Sequence, residues 1–248
     1  MTRPKVSFLI IGAQKAGTTA LDHFLRQHPE IGMADVKEVH FFDDEDAFAH
    51  APTDHSAYEA HFCGAKRFHG ETTPIYLWWK PVCERIHRYN PAMKLIAVLR
   101  DPVDRAFSQW NMEFNRGDET RDFRSAVEAE LEQRAIDPGR QHRVFSYLSR
   151  GMYAEQIERF HRSFDPRQLL CIKYDDLRDD PLPCLHRIFD HIGVDLRLHS
   201  QTLPILNQGA YSAPLDKAQR RALIDVFAED ILRVGSLLDM DVRDWLIA

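Results

Sequence analysis

The sequence predicts an α/β fold: a P-loop-type central parallel β-sheet with helices on both faces and a mostly helical C-terminal part. Three observations carry this expectation. Short apolar runs at residues 6–12, 67–71, 94–100 and 168–174 read as strands, and segments of helical periodicity at 18–27, 81–88, 102–115, 123–135 and 147–164 are interspersed among them. The clearest runs are too apolar for strands with one wet face, as expected of a parallel sheet covered on both sides. The first run ends in a glycine-containing turn that leads into a helix, the arrangement that cradles phosphate.

The first strand ends at Gly12, and Gly17 follows five residues later, with Lys15 between them and Thr18 and Thr19 after. Glycines there permit backbone angles and close approach that side chains would block. Backbone N–H groups at the turn and the helix start point at an anion, and the helix dipole favours it. The pattern departs from G-x-x-x-x-G-K-[ST], because Thr18 holds the place after the second glycine and the lysine lies inside the loop. Lys15 can set an ammonium on a phosphate or on the bridging oxygen of a leaving group. The same residues also read as a tight strand–helix turn with a capping threonine.

Next comes Lys37-Glu-Val-His-Phe-Phe42. Glu38 and His40 alternate around Val39, so an extended segment would project both to one side. Glu38 could accept a proton from an acceptor hydroxyl, with His40 as its hydrogen-bond partner or a substitute base. The bland alternative is a solvated charge beside a buried Phe pair. Asp43-Asp-Glu-Asp46 reads as a solvated charge run that, beside an acceptor mouth, would disfavour a polyanionic acceptor. Tyr76, Trp78 and Trp79 offer an aromatic platform for a sugar ring or apolar scaffold, or else helix-to-sheet packing.

Arg100 falls at the C-terminal end of a buried run, where open α/β sheets bind ligands. Pro102 opens a helix carrying Arg105 and Ser108, and Arg100 with Ser108 could grip one phosphate. Arg100 could equally form a surface pair with Asp101 or Asp104. Past Tyr174 helices are expected at 183–191, 214–229 and 230–238, with a loop at 198–212. With no repeat, low-complexity segment or linker, the chain reads as one domain over 1–248.

A chain of 248 residues that is 44% hydrophobic and 28% charged is ordinary for a globular protein. Its net charge of −6 excludes a global basic field for nucleic acid or an anionic membrane. No apolar run approaches the ~20 residues of a membrane span. The strand-like segment beginning at Val6 leaves no room for a signal peptide. Cys63, Cys83, Cys171 and Cys184 lack paired spacing, and His50, His55 and His61 have no companion ligands. A cytoplasmic protein with no metal site is therefore expected.

In order along the chain, Gly12-Ala-Gln-Lys-Ala-Gly-Thr-Thr19, Lys37-Glu-Val-His-Phe-Phe42, Leu99-Arg-Asp-Pro102 with Ser108, and Gly151-Met-Tyr153 resemble the motifs of sulfotransferases. The resemblance is closest to the heparan-sulfate-type (N-/3-O-sulfotransferase) branch and its bacterial relatives, enzymes that use 3′-phosphoadenosine 5′-phosphosulfate (PAPS). It covers residues 6–193 and, more faintly, 207–215.

The resemblance implies the following roles. Gln14, Lys15, Ala16, Gly17, Thr18 and Thr19 hold the 5′-phosphosulfate, with Lys15 stabilising the leaving phosphate. Arg100 and Ser108 grip the 3′-phosphate. Glu38 is the general base and His40 its companion. Lys37, Thr72, Thr73, Tyr76 and Trp78 face the acceptor, a carbohydrate or other small molecule. Glu71-Thr-Thr-Pro74 resembles a segment that commonly reads E-K-[ST]-P, with Thr72 in place of the lysine. Asn207-Gln-Gly-Ala-Tyr211 replaces a basic donor loop, leaving Asn207, Gln208, Tyr211 or the backbone to contact the donor.

The chemistry of the residues agrees with transfer of a sulfuryl group. Phosphoryl transfer from ATP calls for magnesium and an acidic ligand at a later strand end, and here that strand ends in Arg100. An atypical P-loop kinase and a non-catalytic nucleotide-binding protein are the rival classes. Lys after Gly17 is missing for the first, and a binder has no need of Glu38.

Overall fold

Five parallel strands form a single sheet in the computed structural model, which describes residues 5–195 and 214–248. They are β1 (Phe8–Gly12), β2 (Ile31–Met33), β3 (Phe68–Thr72), β4 (Lys94–Leu99) and β5 (Leu169–Lys173), in the order β2-β3-β1-β4-β5. Every residue of β1 is buried, and β4 is buried from Leu95 onward. The unbroken apolar runs thus become interior strands, as double-sided cover requires. This is the expected α/β class.

The helices are α1 (Thr18–Leu25), α2 (Ser56–Glu59), α3 (Val82–Tyr89), α4 (Pro102–Arg116), α5 (Phe123–Ile136), α6 (Tyr153–Ser163), α7 (Tyr174–Asp179), α8 (Pro181–Ile192) and α9 (Lys217–Leu238). Among the described residues no helix is long and apolar enough to cross a membrane. The expected loop at 198–212, with Asn207, Gln208 and Tyr211, lies outside the described residues.

The contacts divide the described residues into two compact units. One draws on Met1–Leu99 and Glu158–Asn207, the other on Arg100–Ile157 and Gln208–Ala248. The sequence reads as one domain because each unit is assembled from separated stretches, with no linker of distinct composition between them.

In the first unit the chain leaves β1, builds β2 and β3 on one side of it, and then adds β4 and β5 on the other. The order reverses beside β1, so its carboxyl end is the switch point where open sheets take ligands. The β1–β4 register shifts between Ile10 and Gly12, at that end. β2 escaped the sequence reading because Ile31-Gly-Met33 is too short to show a run; pairing with β3 (Ile31↔Phe68) makes it a strand.

In the second unit the helix expected over 147–164 begins only at Tyr153, after a short 3-10 turn at Ser149–Gly151. The Gln156 amide donates to the carbonyls of Ser149, Arg150 and Met152 at 3.1, 3.2 and 2.7 Å, consolidating that turn. The break expected at Asp230 is absent, and α9 runs unbroken from its Asp216 N-cap. Asp230 starts a different helix: its carboxylate accepts from the N–H groups of Tyr153 and Ala154 at 2.7 and 3.1 Å.

Candidate active site

The loop after β1 is shaped by two glycines. A Cβ on Gly12 would stand 2.7 Å from Leu77 Cβ, and one on Gly17, at φ 80°, would stand 2.9 Å from the Tyr174 ring. Between them Lys15 takes φ 70°, in the left-handed region that costs a side-chain-bearing residue about 1–2 kcal/mol. Ala13 N–H donates to Val98 O at 2.8 Å and Ala16 N–H to Ala13 O at 3.2 Å, which fastens the loop to β4 and tightens it. α1 then starts at Thr18 with Gly17 as its N-cap and no side chain capping it. The capping-threonine alternative is therefore not what forms here. Helix-start N–H groups without a side-chain acceptor, beside a lysine and in a loop too tight for a Cβ, fit an approaching phosphate oxygen.

The segment bearing Glu38 and His40 differs from the expected extended strand. Both residues are left-handed, with φ 61° and 58°, so Lys37–Phe42 turns sharply and period-two alternation does not apply. The turn still joins them: His40 Nε2 lies 3.5 Å from Glu38 Oε2. The Lys37 ammonium donates to the other Glu38 oxygen. On its far side, His40 Nδ1 lies 3.0 Å from both oxygens of Asp43, which is fully buried.

Charge orders this chain of groups. Burial pushes the Glu38 carboxyl up, but the His40 hydrogen bond and the Lys37 ammonium outweigh it and hold it at about 2. Hydrogen bonds to Asp43 and then Glu38 raise His40 to about 9 against the burial penalty. These partners favour the imidazolium form of His40 at neutral pH, which suits a hydrogen-bond partner of Glu38 better than a substitute base. Asp43, taken in the sequence for part of a solvated run, is the buried anchor of the pair. Glu45 is engaged too, pairing with Arg85 and accepting from Trp79 Nε1 at 2.8 Å. Asp44, Glu45 and Asp46 are exposed, so the rest of the acidic run stays on the surface as the sequence suggests.

The turn hangs from the carboxyl end of β3. Glu38 N–H donates to Thr72 O at 2.9 Å, and Thr73 N–H donates to Ile10 O of β1 at 3.1 Å. Glu38 is thereby tied to the strand next to the one from which the lysine loop springs. Four expected acceptor residues are corrected at this point. Thr72, Thr73, Tyr76 and Trp78 are 1%, 0%, 0% and 6% exposed. Thr73 Oγ1 donates inward to Glu71 at 2.9 Å. Tyr76 packs edge-on against Phe42, and its hydroxyl accepts from Phe42 N–H at 3.2 Å. An aromatic cluster of Phe42, Tyr58, Tyr76 and Tyr89 has taken up the ring that was to serve as platform. Lys37, with its side chain 24% exposed, keeps access to a ligand.

In the second unit Arg100 is half-buried, directly before α4, and Ser108 is buried in the second turn of that helix. The surface pairing with Asp101 or Asp104 gives way to other partners. Asp101 caps α4 through Val103 and Asp104 N–H at 2.8 and 3.2 Å, and both aspartates pair with Arg220. Burial, with Asp104 nearby, raises Asp101 to about 6 despite Arg220. The Tyr153 hydroxyl donates to Arg100 O at 2.9 Å, which gives the Gly151-Met-Tyr153 motif a physical task. The sequence alone gives that motif no role. A tyrosine two residues after a glycine, at a helix start, is the available signal.

Compared with known proteins, residues 5–212 match the family model described as the sulfotransferase domain. Heparan sulfate glucosamine 3-O-sulfotransferase 3B1 of Homo sapiens is 30% identical over 195 residues, covering 75% of this chain and 45% of that protein. Heparan sulfate glucosamine 3-O-sulfotransferase 5 of Mus musculus is 27% identical over 197 residues, covering 79% and 55%. The chain thus spans about half the length of these curated relatives. The crystal structure of a sulfotransferase from Alicyclobacillus acidocaldarius superimposes with a TM-score of 0.80 at 28% identity, over 99% of each chain. The mouse sulfotransferase SULT7A1, solved in complex with PAP, shares the fold with a TM-score of 0.59 at 15% identity, over 95% of this chain and 89% of that one.

Proposed function

This chain belongs to the sulfotransferase family, and we propose that it moves a sulfuryl group from PAPS to a hydroxyl of a carbohydrate acceptor. The observation that supports this most is the tie between the two halves of the chemistry. The lysine loop rises from β1, and the Glu38 turn hangs from the adjacent end of β3.

In this reading Gln14–Thr19 receive the 5′-phosphosulfate, and Lys15 neutralises the departing phosphate. Arg100 and Ser108 hold the 3′-phosphate that separates this donor from ATP. Glu38, ionised across the working pH range, takes the acceptor's proton during in-line attack on sulfur. Held at about 2, it is a weak base at rest. Lys37 turning from Glu38 to a sulfuryl oxygen would relieve that hold at the moment of transfer. His40 stays charged and orients the carboxylate. A sulfuryl group carries less charge than a phosphoryl group, so lysine and backbone dipoles suffice for its transition state.

The relatives are named for heparan sulfate glucosamine, which supports a glucosamine-containing polysaccharide as the acceptor. Asp43 is spent on His40 and Glu45 on Arg85, which leaves Asp44 and Asp46 as the exposed acidic groups of the run without a paired cation among the described residues. Calorimetric titration with adenosine 3′,5′-bisphosphate and with ATP, each with and without magnesium, tests the donor. Binding of the bisphosphate that is indifferent to magnesium is expected. ATP binding strengthened by magnesium would replace this reading with a kinase.

A further inference from the structure

We propose that Arg159 is a positioning residue for the lysine loop: its guanidinium pins the turn at Pro74–Leu77, and the Leu77 side chain packs on Gly12, where that loop begins. The inference rests on the reading of Gln14–Thr19 as the seat of the 5′-phosphosulfate.

Arg159, Leu77 and Gly12 all belong to the first unit. Pro74–Leu77 is a 3-10 turn between β3 and α3, buried along its whole length. Its leading end is fastened to β1 by Thr73 N–H on Ile10 O at 3.1 Å, two residues before Gly12. A helical turn leaves its last carbonyls without partners of its own. Arg159, 82 positions beyond Leu77 and on α6, reaches them: Nη2 donates to Leu77 O at 2.6 Å and to Trp78 O at 3.1 Å. Its own backbone is held by α3, where Cys83 Sγ donates to Arg159 O at 3.5 Å.

Leu77, 1% exposed, carries this restraint to the loop. A Cβ added to Gly12 would stand 2.7 Å from Leu77 Cβ and 2.8 Å from its Cδ2, so the Gly12 backbone lies directly against that side chain. On the other side, Ala13 N–H donates to Val98 O of β4 at 2.8 Å. The start of the loop is therefore clamped between β4 and Leu77. A close-packed interior transmits a shift of one wall to what rests on it. Displacing a binding group by about 1 Å is costly to the chemistry even when the fold survives.

A single nitrogen serves both carbonyls, so the turn demands a charged donor at one point and not a planar fork. A lysine ammonium can meet that demand, whereas a methionine of similar length has nothing to donate.

The test compares Arg159→Met and Arg159→Lys with the unchanged protein. Calorimetry measures binding of adenosine 3′,5′-bisphosphate and of adenosine 3′-monophosphate, which lacks the group assigned to the loop. NMR (15N–1H) follows the Gly12 and Ala13 amides without nucleotide. Arg159→Met is expected to weaken the bisphosphate about tenfold, as for loss of one charge-assisted hydrogen bond. It should leave the monophosphate unchanged and move both amides, and Arg159→Lys should restore all three readings. Leu77→Ala keeps the carbonyls that Arg159 holds but takes the side chain off Gly12. It should give the same selective loss, with little added by Arg159→Met in that background, and it serves if the methionine variant fails to fold. Equal losses for both nucleotides, no loss for either, or unmoved Gly12 and Ala13 amides would overturn the proposal. If the amides move as expected but the unchanged protein binds neither nucleotide, the proposed function fails and the Arg159–Leu77–Gly12 link stands.

Discussion

Both carboxylate oxygens of Asp43 lie 3.0 Å from His40 Nδ1, and Asp43 is fully buried while the His40 side chain is 44% exposed. A buried anion facing one ring nitrogen keeps the imidazole charged, leaving the other to address Glu38. Asp43→Asn should bring the His40 pKa down from about 9 toward the ordinary value near 6.5, read by imidazole NMR. His40 is raised in the folded state, so its contribution to stability is fully present below about pH 6.5 and lost as pH rises through about 9. Urea unfolding should show Asp43→Asn weakened more at about pH 6 than at about pH 9.5. An equal deficit at both would show that His40 draws nothing from this pair.

Glu38→Gln should leave binding of adenosine 3′,5′-bisphosphate unchanged and cut turnover by about 10²–10⁴, the usual worth of a general base. Glu38 is lowered in the folded state, so its stabilising effect is present above about pH 4.5 and lost as pH falls toward about 2. The glutamine variant should therefore show a shallower acid-side loss of stability. Near-normal turnover would remove Glu38 from the chemistry.

Gly17→Ala places a Cβ at φ 80° and 2.9 Å from Tyr174. A destabilisation of about 1–3 kcal/mol is expected in denaturant titration, with weaker bisphosphate binding. Lys15→Ala should abolish turnover and leave that stability near the unchanged protein's. A fully stable Gly17→Ala protein that binds normally would mean the loop tolerates the side chain.

Tyr153→Phe removes the hydrogen bond to Arg100 O. The expected loss of stability is about 1 kcal/mol. Affinity for adenosine 3′,5′-bisphosphate should drop while that for adenosine 5′-monophosphate holds, because Arg100 is assigned to the 3′-phosphate. Parallel calorimetry with both nucleotides checks this, and equal losses would detach Tyr153 from that role.

The strand–loop–helix at Gly12–Thr19 was legible because its determinants are local: an apolar run, two glycines with a lysine between them, and a helix start. The strands β1, β3, β4 and β5 were legible for the same reason, and the three-residue β2 was not. Glu38 and His40 were found by residue type and motif, but their geometry was not. Two left-handed residues bring them together, and nothing in the spacing of Glu-Val-His announces that. Tyr76 and Trp78 looked available as a platform only because sequence does not record what packs over a ring.

By itself, the sequence determined the parallel α/β class, the lysine loop at the end of its first strand, the arginine at the end of a later one, and the ordered motifs of a sulfotransferase. Each depends on neighbours within a few residues, where periodicity and turn chemistry act. Tertiary structure alone decided that Asp43 is buried against His40, that Glu71 is buried beneath the Tyr58 hydroxyl, and that Tyr153 holds Arg100 from more than 50 positions away. Burial and long-range hydrogen bonds set the charge of these groups, and both arise only when distant segments are brought into contact.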